Sequence, residues 1–422
     1  MSPAIKCLIL LAVIALFFVT EIIPLAITAI GGAVACGLLG LIPVKQVFSG
    51  LSNSTVVLFA GMFVVGAAMF YTGLAQAIGE KIVHIFGTGE NSLMLGLMLV
   101  GTALSSVLSN TGTCACLMPV ALGICAASKN PASRQLLPMA YACGWGGIIT
   151  LVGTPPNIIG SGALTAAGLP GFSFFEFAWI GIPLSVAGIL YMLLIGKYLL
   201  PKAELDADQE IEQEIEATTH DKKKQMISGM ILLVCVIVMA LDFKFISLEM
   251  TAIIGALVCV LTGCLTEKQA YSSIDWVTIF LFAGMMPVST AMDKTGAGKL
   301  IANWAVGLMG GEPTPLIVTI VLFSISCFLT QFMSNTASAA LLCPIGIAIA
   351  KQLNADPKAV VMAIAVAASC AFATPVGTPP CTLVLGPGGY KFMDYVKCGT
   401  GLVLVCFVVS LIVIPMVWPF FP

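Results

Sequence analysis

Apolar positions in this chain come in runs of roughly 20 residues with short polar breaks between them, the length that a hydrocarbon core of about 30 Å asks of a helix. In the first half the runs cover 5–22, 24–42, 54–72, an interrupted stretch 136–168, and 177–200. In the second half they cover 226–243, 248–265, 275–293, a second interrupted stretch 357–390, and 398–418. One further apolar region lies between the third and fourth run of each half, at 91–128 and 313–350, bounded by Glu90 and Lys129 and by Glu312 and Lys351. Each carries the same tripeptide at its middle, Ser109-Asn110-Thr111 and Ser334-Asn335-Thr336. The arms on either side are about 17 residues long, the bottom of the spanning range. Either both arms cross fully and the tripeptide is a surface turn, or they form a re-entrant hairpin that carries it to mid-membrane. Both choices leave an odd number of crossings per half, so the second half runs inverted relative to the first.

The halves are copies. Thr28-Ala29-Ile30 matches Thr251-Ala252-Ile253, Lys45-Gln46 matches Lys268-Gln269, and Phe59-Ala60-Gly61-Met62 matches Phe282-Ala283-Gly284-Met285, all at an offset of 223. The offset is 225 at Ser-Asn-Thr and 224 at a second shared motif, Gly153-Thr154-Pro155-Pro156 and Gly377-Thr378-Pro379-Pro380. The first run, Leu8 to Val19 behind Lys6, has the look of a signal peptide, but its place in a duplicated unit makes it a true span. The fold expected is an all-α polytopic membrane protein of two inverted repeats, 1–200 and 226–418, joined by a linker, 201–225.

Composition agrees. With 59% hydrophobic and 9% charged residues and a mean hydropathy of +1.07, the chain is no ordinary soluble domain, where about 25% charge is usual. The net charge of −2 gives no reason to expect a nucleic-acid partner, since eight of the 20 acids fall between Glu204 and Asp221. The 15 cysteines read as small buried hydrophobes; even Cys114-Ala115-Cys116 lacks the two-residue gap of a zinc or redox pair. A cytoplasmic linker places 11 of the 18 basic residues inside, the sign the positive-inside rule requires, and puts both termini outside a cell (inner) membrane. Glu21, Glu249, Asp275 and Asp293 lie near span ends and read as interfacial. His84 and His220 fall in polar connections. Trp418, Phe420 and Phe421 read as an interfacial anchor.

The duplicated motifs are where chemistry is expected. Irregular backbone and small polar side chains survive at membrane depth only where they are buried in protein or line a cavity, and paired breaks in inverted halves mark a secondary transporter's central site. Ser, Asn and Thr are strong N-caps, and proline suits the first helical position after Thr154 and Thr378. Each motif therefore starts a helix whose N-terminus favours anions, while hydroxyl, amide and carbonyl oxygens suit a hard cation such as sodium. No Asp, Glu, His, Lys or Arg occurs in 91–128, 135–175, 313–350 or 359–390. A proton-coupled carrier normally needs an intramembrane carboxylate or histidine, so sodium coupling or anion exchange is favoured.

These motifs, together with the run Ala368-Ser369-Cys370-Ala371-Phe372-Ala373-Thr374-Pro375-Val376 that leads into the second Gly-Thr-Pro-Pro, resemble the divalent anion/sodium symporter family, carriers of C4 dicarboxylates, citrate or sulfate. The resemblance covers essentially the whole chain. It implies an elevator-type homodimer in the lipid bilayer, with scaffold spans 5–72 and 226–293 and moving transport parts 91–200 and 313–418 that contain hairpins and broken helices. It implies one sodium site at Ser105, Ser109, Asn110 and Gly153, and a second at Thr330, Ser334, Asn335 and Gly377. Substrate carboxylates are then expected at Asn110, Thr111, Asn335, Thr336, Thr378 and Pro379, with Na+ and no organic cofactor. Two departures stand out: Cys381 replaces the family's usual Asn, which Asn157 keeps in the first half, and an additional N-terminal span found in many members is lacking. The leading expectation is sodium-coupled symport of succinate, malate or fumarate; the alternatives are a sodium-independent dicarboxylate or tricarboxylate exchanger, a sulfate transporter, or an anion channel. An enzyme is not expected, because His-Glu-x-x-His, Gly-x-Ser-x-Gly and paired intramembrane aspartates are missing.

Overall fold

The computed structural model describes residues 1–87, 89–128, 130–201, 221–241, 243, 245–308 and 314–420, and among these it is helical without strands. Most of the linker, including Lys202 and His220, lies outside the described residues, as do Lys129, Glu312, Phe421 and the side chain of His84.

Three helices open each repeat: Pro3–Thr20, Leu25–Leu38 and Ser54–Tyr71, then Lys222–Leu241, Leu248–Leu261 and Trp276–Thr295. The second of each is shorter than its apolar run, 14 residues, or about 21 Å at 1.5 Å per residue. The second helix of one repeat packs against the third helix of the other, in both directions. The duplicated sequence segments meet at these crossings. A Cβ on Gly284 would lie 2.5 Å from the carbonyl carbon of Ala29, and one on Gly61 would lie 2.7 Å from that of Ala252. Lipid offers no hydrophobic drive for helix association, so close backbone approach at small residues supplies it. Two separate repeats in the sequence are thus the two sides of one contact, made twice.

Each repeat continues into a hairpin, with arms Glu90–Ser105 and Asn110–Ser128 in the first and Pro315–Thr330 and Asn335–Leu353 in the second. A broken helix follows. Leu136–Gly146 tightens into a 3-10 turn, Gly147–Ile149, before Pro155–Ala166 resumes; Pro357–Ala368 resumes only as the short Pro379–Leu383. The spans Ala178–Leu199 and Phe392–Val417 close the repeats and pack against each other. The structure decides between the two readings of the hairpin region. Ser105 Oγ donates to Cys143 O at 2.7 Å and Thr330 Oγ1 to Ala368 O at 2.7 Å, tying each tip to the break of its own repeat. Both tips face one cavity, which surface turns at opposite membrane faces could not do.

Two helices escape the apolar-run reading. Leu74–Phe86 and Ala297–Leu308 connect the third helix of each repeat to its hairpin, each entered through a left-handed glycine, Gly73 (φ 74°) and Gly296 (φ 76°), the usual C-terminal stop of a helix. Gln76, Glu80 and Lys81 interrupt the first, so it reads as too polar for a span; its helical spacing of Leu74, Ala75 and Ile78 was the available signal.

Trp418 and Phe420 are not an interfacial anchor. Trp418 and Phe420 are 6% and 1% exposed. The indole N–H of Trp418 donates to Glu176 Oε1 at 3.1 Å, Glu176 pairs with Lys358 at 3.1 Å, and the Asp356 N–H donates to Phe420 O at 2.6 Å. A nearby carboxylate gives the indole a partner inside the protein, so it has no need of the headgroup layer. The cysteines follow the sequence reading: all 15 are free and all but Cys116 are buried.

Candidate functional site

A cavity of about 1150 Å³ lies between the helices Ser54–Tyr71 and Trp276–Thr295 on one side and the hairpins on the other. Both Ser-Asn-Thr tips and both Gly-Thr-Pro-Pro breaks reach it, through residues 109–111, 153–155, 334–336 and 377–380. Phe59, Phe63 and Phe70 of Ser54–Tyr71 and Leu281 of Trp276–Thr295 form an apolar wall. Of the residues singled out from the sequence, Ser109, Asn110, Thr111, Gly153, Ser334, Asn335, Thr336, Gly377, Thr378 and Pro379 line the cavity. Ser105 and Thr330 sit behind it, fully buried.

Behind each tip, oxygens gather. The Asn110 amide oxygen lies 2.6 Å from Ser105 Oγ, 3.1 Å from Gly153 O and 3.2 Å from Cys143 O. The Asn335 amide oxygen repeats this with Thr330 Oγ1 at 2.7 Å, Gly377 O at 3.1 Å and Ala368 O at 3.1 Å. Each hydroxyl has one hydrogen and two acceptors in reach, the amide oxygen and the carbonyl of Cys143 or Ala368. Such a cage is satisfied in two ways. The amide turns so that its nitrogen donates to the same three oxygens, or a cation neutralises the oxygens as they stand. Glycine is required alongside. A Cβ on Gly147 would strike Asn110 Oδ1, and one on Gly153 would lie 2.5 Å from Gly147 O.

The breaks that present these carbonyls are braced differently in the two halves. Asn157 Nδ2 donates to Thr150 O at 2.8 Å and, at longer range, to the carbonyls of Gly147 and Ile148. Cys381 occupies the matching place and has no such reach. There Gln331 does the bracing from the hairpin tip: Nε2 donates to Cys370 O at 3.0 Å and Oε1 accepts from Ala373 N at 3.0 Å. Thr374 Oγ1 in turn donates to Gln331 O at 2.7 Å, mirroring the bond from Thr150 Oγ1 to Ser106 O. The break beside the second cage is thus braced by Gln331, a residue that the duplicated motifs do not point to. Its amide at the end of a largely apolar arm was the available signal.

Ser334 caps Asn335–Leu353 by accepting from Ala337 N at 3.1 Å, and Ser109 accepts from Gly112 N at 3.4 Å. Thr154 and Thr378 are the N-cap residues of Pro155–Ala166 and Pro379–Leu383. The last is five residues long, so it brings less helix dipole than the other three ends. Glu21 and Asp275 also line the cavity. Both lie on the linker side of the molecule, at the end of Pro3–Thr20 and the start of Trp276–Thr295, and Gln76 and Ser273 line the cavity with them, so the cavity opens toward that side. Asp275 is engaged as an N-cap, accepting from Val277 N at 3.1 Å and Thr278 N at 3.2 Å. These two carboxylates were legible only as span-end residues.

The sequence matches the profile of a family described as CitMHS, citrate transporter, over residues 15–339 and again over 235–421. An uncharacterized transporter of Haemophilus influenzae is 34% identical over 97% of this chain and 91% of its own length. The sodium-dependent dicarboxylate transporter SdcS of Staphylococcus saprophyticus is 25% identical over 96% of this chain and 84% of its own. In structure the chain is similar to the YdaH transporter of Alcanivorax borkumensis, described as having an unusual topology, with a TM-score of 0.69, 14% identity, and coverage of 99% of this chain and 98% of the other. MtrF of Neisseria gonorrhoeae gives a TM-score of 0.65, 14% identity, and coverage of 98% and 94%. The duplicated motifs, the shared cavity and these likenesses agree: the chain is a multi-pass membrane transporter and not an enzyme, and it belongs to the citrate transporter family, in keeping with the divalent anion/sodium symporters.

Proposed function

We propose that this transporter is a sodium-coupled symporter of small divalent organic anions, with C4 dicarboxylates such as succinate, malate and fumarate as its substrate class. The observation that carries the reading is the pair of matched polar cages behind the hairpin tips, each made of an Asn amide, a hydroxyl and two main-chain carbonyls. Ser105, Asn110 and the Cys143 and Gly153 carbonyls would hold one sodium ion, and Thr330, Asn335 and the Ala368 and Gly377 carbonyls the other, with Ser109 and Ser334 completing the sets from the tips. Bound sodium supplies the positive charge that a dianion needs in a cavity floor without Lys, Arg or His. Asn110 and Asn335 act at both ends. With the amide oxygen kept in the cage, the amide N–H groups are left to donate to a substrate carboxylate in the cavity. Thr111, Thr336, Thr378 and the backbone at Pro379 complete the substrate-binding surface. Relatives described as sodium-dependent dicarboxylate transporters support the assignment at 25–26% identity.

Movement follows an elevator scheme in this reading. The apolar wall of Phe59, Phe63 and Phe70 is a surface over which hairpins and broken helices slide, while scaffold helices hold a homodimer in the cell membrane. With the linker in the cytoplasm, the cavity as it stands opens inward. The deciding measurement is uptake of labelled succinate, citrate and sulfate into proteoliposomes with and without an inward sodium gradient. Succinate accumulation that requires sodium supports symport. Uptake that ignores sodium and needs a dicarboxylate on the opposite side makes the protein an exchanger, and preference for citrate or sulfate replaces the substrate class.

A further inference from the structure

A second cavity, about 450 Å³, lies away from the transport site and on the linker side, where Gly89, Glu90, Asn91 and Ser92 at the base of the first hairpin meet Arg134 and the span end Lys197 and Tyr198. It is unusual in its charge. Arg134 and Lys197 are 8% and 9% exposed, while the acid that lines the cavity among the described residues is Glu90 alone. Arg134 Nη1 pairs with Glu90 Oε1 at 2.8 Å, and its Nε is buried without a partner. The Lys197 ammonium donates to a neutral acceptor, Asn91 Oδ1, at 2.8 Å, and lies 4.9 Å from the centre of the Tyr198 ring. Among the described residues one buried positive charge has no acid to pair with, and such a charge is expensive unless an anion meets it. The helix Glu90–Ser105 begins here at Gly89 with no side-chain cap, so its first N–H groups add to the attraction for an anion.

We propose that this cavity binds the phosphate group of an anionic phospholipid from the leaflet on the linker side. The surroundings select a lipid over a soluble anion. Tyr198, Leu194 and Ile195 are 67%, 67% and 55% exposed on the outer face of Ala178–Leu199, so acyl chains have an apolar surface directly beside the cavity. Tyrosine at the end of a span marks headgroup level, and basic pockets between spans on this side are suited to lipid phosphates. A lipid held here joins the hairpin base, the start of the broken helix and the last span of the first repeat, all of which belong to the same transport part.

The test is lipid retention, which does not depend on what the protein carries. The full-length protein, stripped in detergent and offered phosphatidylglycerol or phosphatidylcholine, is examined by native mass spectrometry and by thermal melting. The wild type is expected to keep phosphatidylglycerol and to melt higher with it than with phosphatidylcholine. Lys197→Gln lowers occupancy by about ten-fold, the scale of one charge-assisted contact, and Lys197→Arg restores it. Equal retention by Lys197→Gln and wild type overturns the proposal. So does stabilisation by inorganic phosphate alone that matches phosphatidylglycerol, which would give the cavity to a soluble anion. Phosphatidylglycerol binding that emerges only after the acids between Glu204 and Glu216 are changed to Gln would show that the chain's own acidic segment competes as occupant, and would also overturn it.

Discussion

Asn110 and Asn335 carry more of the argument than any other side chains, because each amide touches a cage on one side and the cavity on the other. Replacing either with Ala removes a hydrogen-bonding group that meets charge, worth about 1.5–3 kcal/mol, or roughly ten- to a hundred-fold in transport. Succinate uptake by Asn110→Ala and Asn335→Ala is therefore expected to fall by that factor while the protein still inserts and purifies; near-normal uptake by both would remove the assignment. Gln331 gives a sharper test. Gln331→Ala should impair sodium-dependent uptake by loosening the break at residues 370–373, and adding Cys381→Asn should restore it by supplying from the other side the brace that Asn157 provides in the first half. Failure of the double variant to recover more than the single one would show that Gln331 does something other than brace. The motif residues were legible in the sequence because they were duplicated. Gln331 was not, because its duplicate partner is Ser106 and no repeat announces it.

Helix crossings are decided by where a side chain is missing. Gly284 and Gly61 admit the backbones of Ala29 and Ala252, so even a methyl group there forces the helices apart, at a cost of about 1–3 kcal/mol. Gly284→Ala should lower the melting temperature of the purified protein by several degrees, while Gly31→Ala, with nothing within 4 Å of the added carbon, should leave it unchanged or raise it. Equal melting of the two variants would show that the crossing does not depend on close approach. Span positions were readable from apolar length alone. The helices Leu74–Phe86 and Ala297–Leu308 were not, since a helix with one polar face has too little hydropathy to register as a crossing and too little isolation to register as a loop.

At the scale of the whole molecule, two expectations concern orientation and coupling. A single cysteine at 201–225 on a cysteine-depleted background should react with an impermeant thiol reagent only after cells are opened, and one near Ser2 should react in intact cells; labelling of the linker from outside would reverse the orientation. In the proposed reading, coupling rests on the two cages. With two ions beside one dianion the loaded site is near neutral, which matters because carrying net charge through a low-dielectric barrier is costly. Succinate uptake should therefore rise more than linearly with sodium and persist when the proton gradient is collapsed. A linear or absent response would leave at most one cage in use. The carboxylates Glu21 and Asp275 belong to the cavity rim, so a search of the motif segments alone does not show every charge the substrate meets.

The sequence by itself determined the membrane class, the duplication, the inversion and the two motifs, because these depend on apolar length and on identity between copies. Only the tertiary structure decided that the hairpins are re-entrant, that Cys143 and Ala368 contribute carbonyls behind the tips, and that the repeated Thr-Ala-Ile and Phe-Ala-Gly-Met segments are contact partners. Every residue carries a carbonyl, so no side chain marks the few that a helix break turns toward a site. Trp418 shows the same limit from the other direction: its place at the end of a span suggested the headgroup layer, and the position of Glu176, 242 residues away in sequence, put it inside the protein instead.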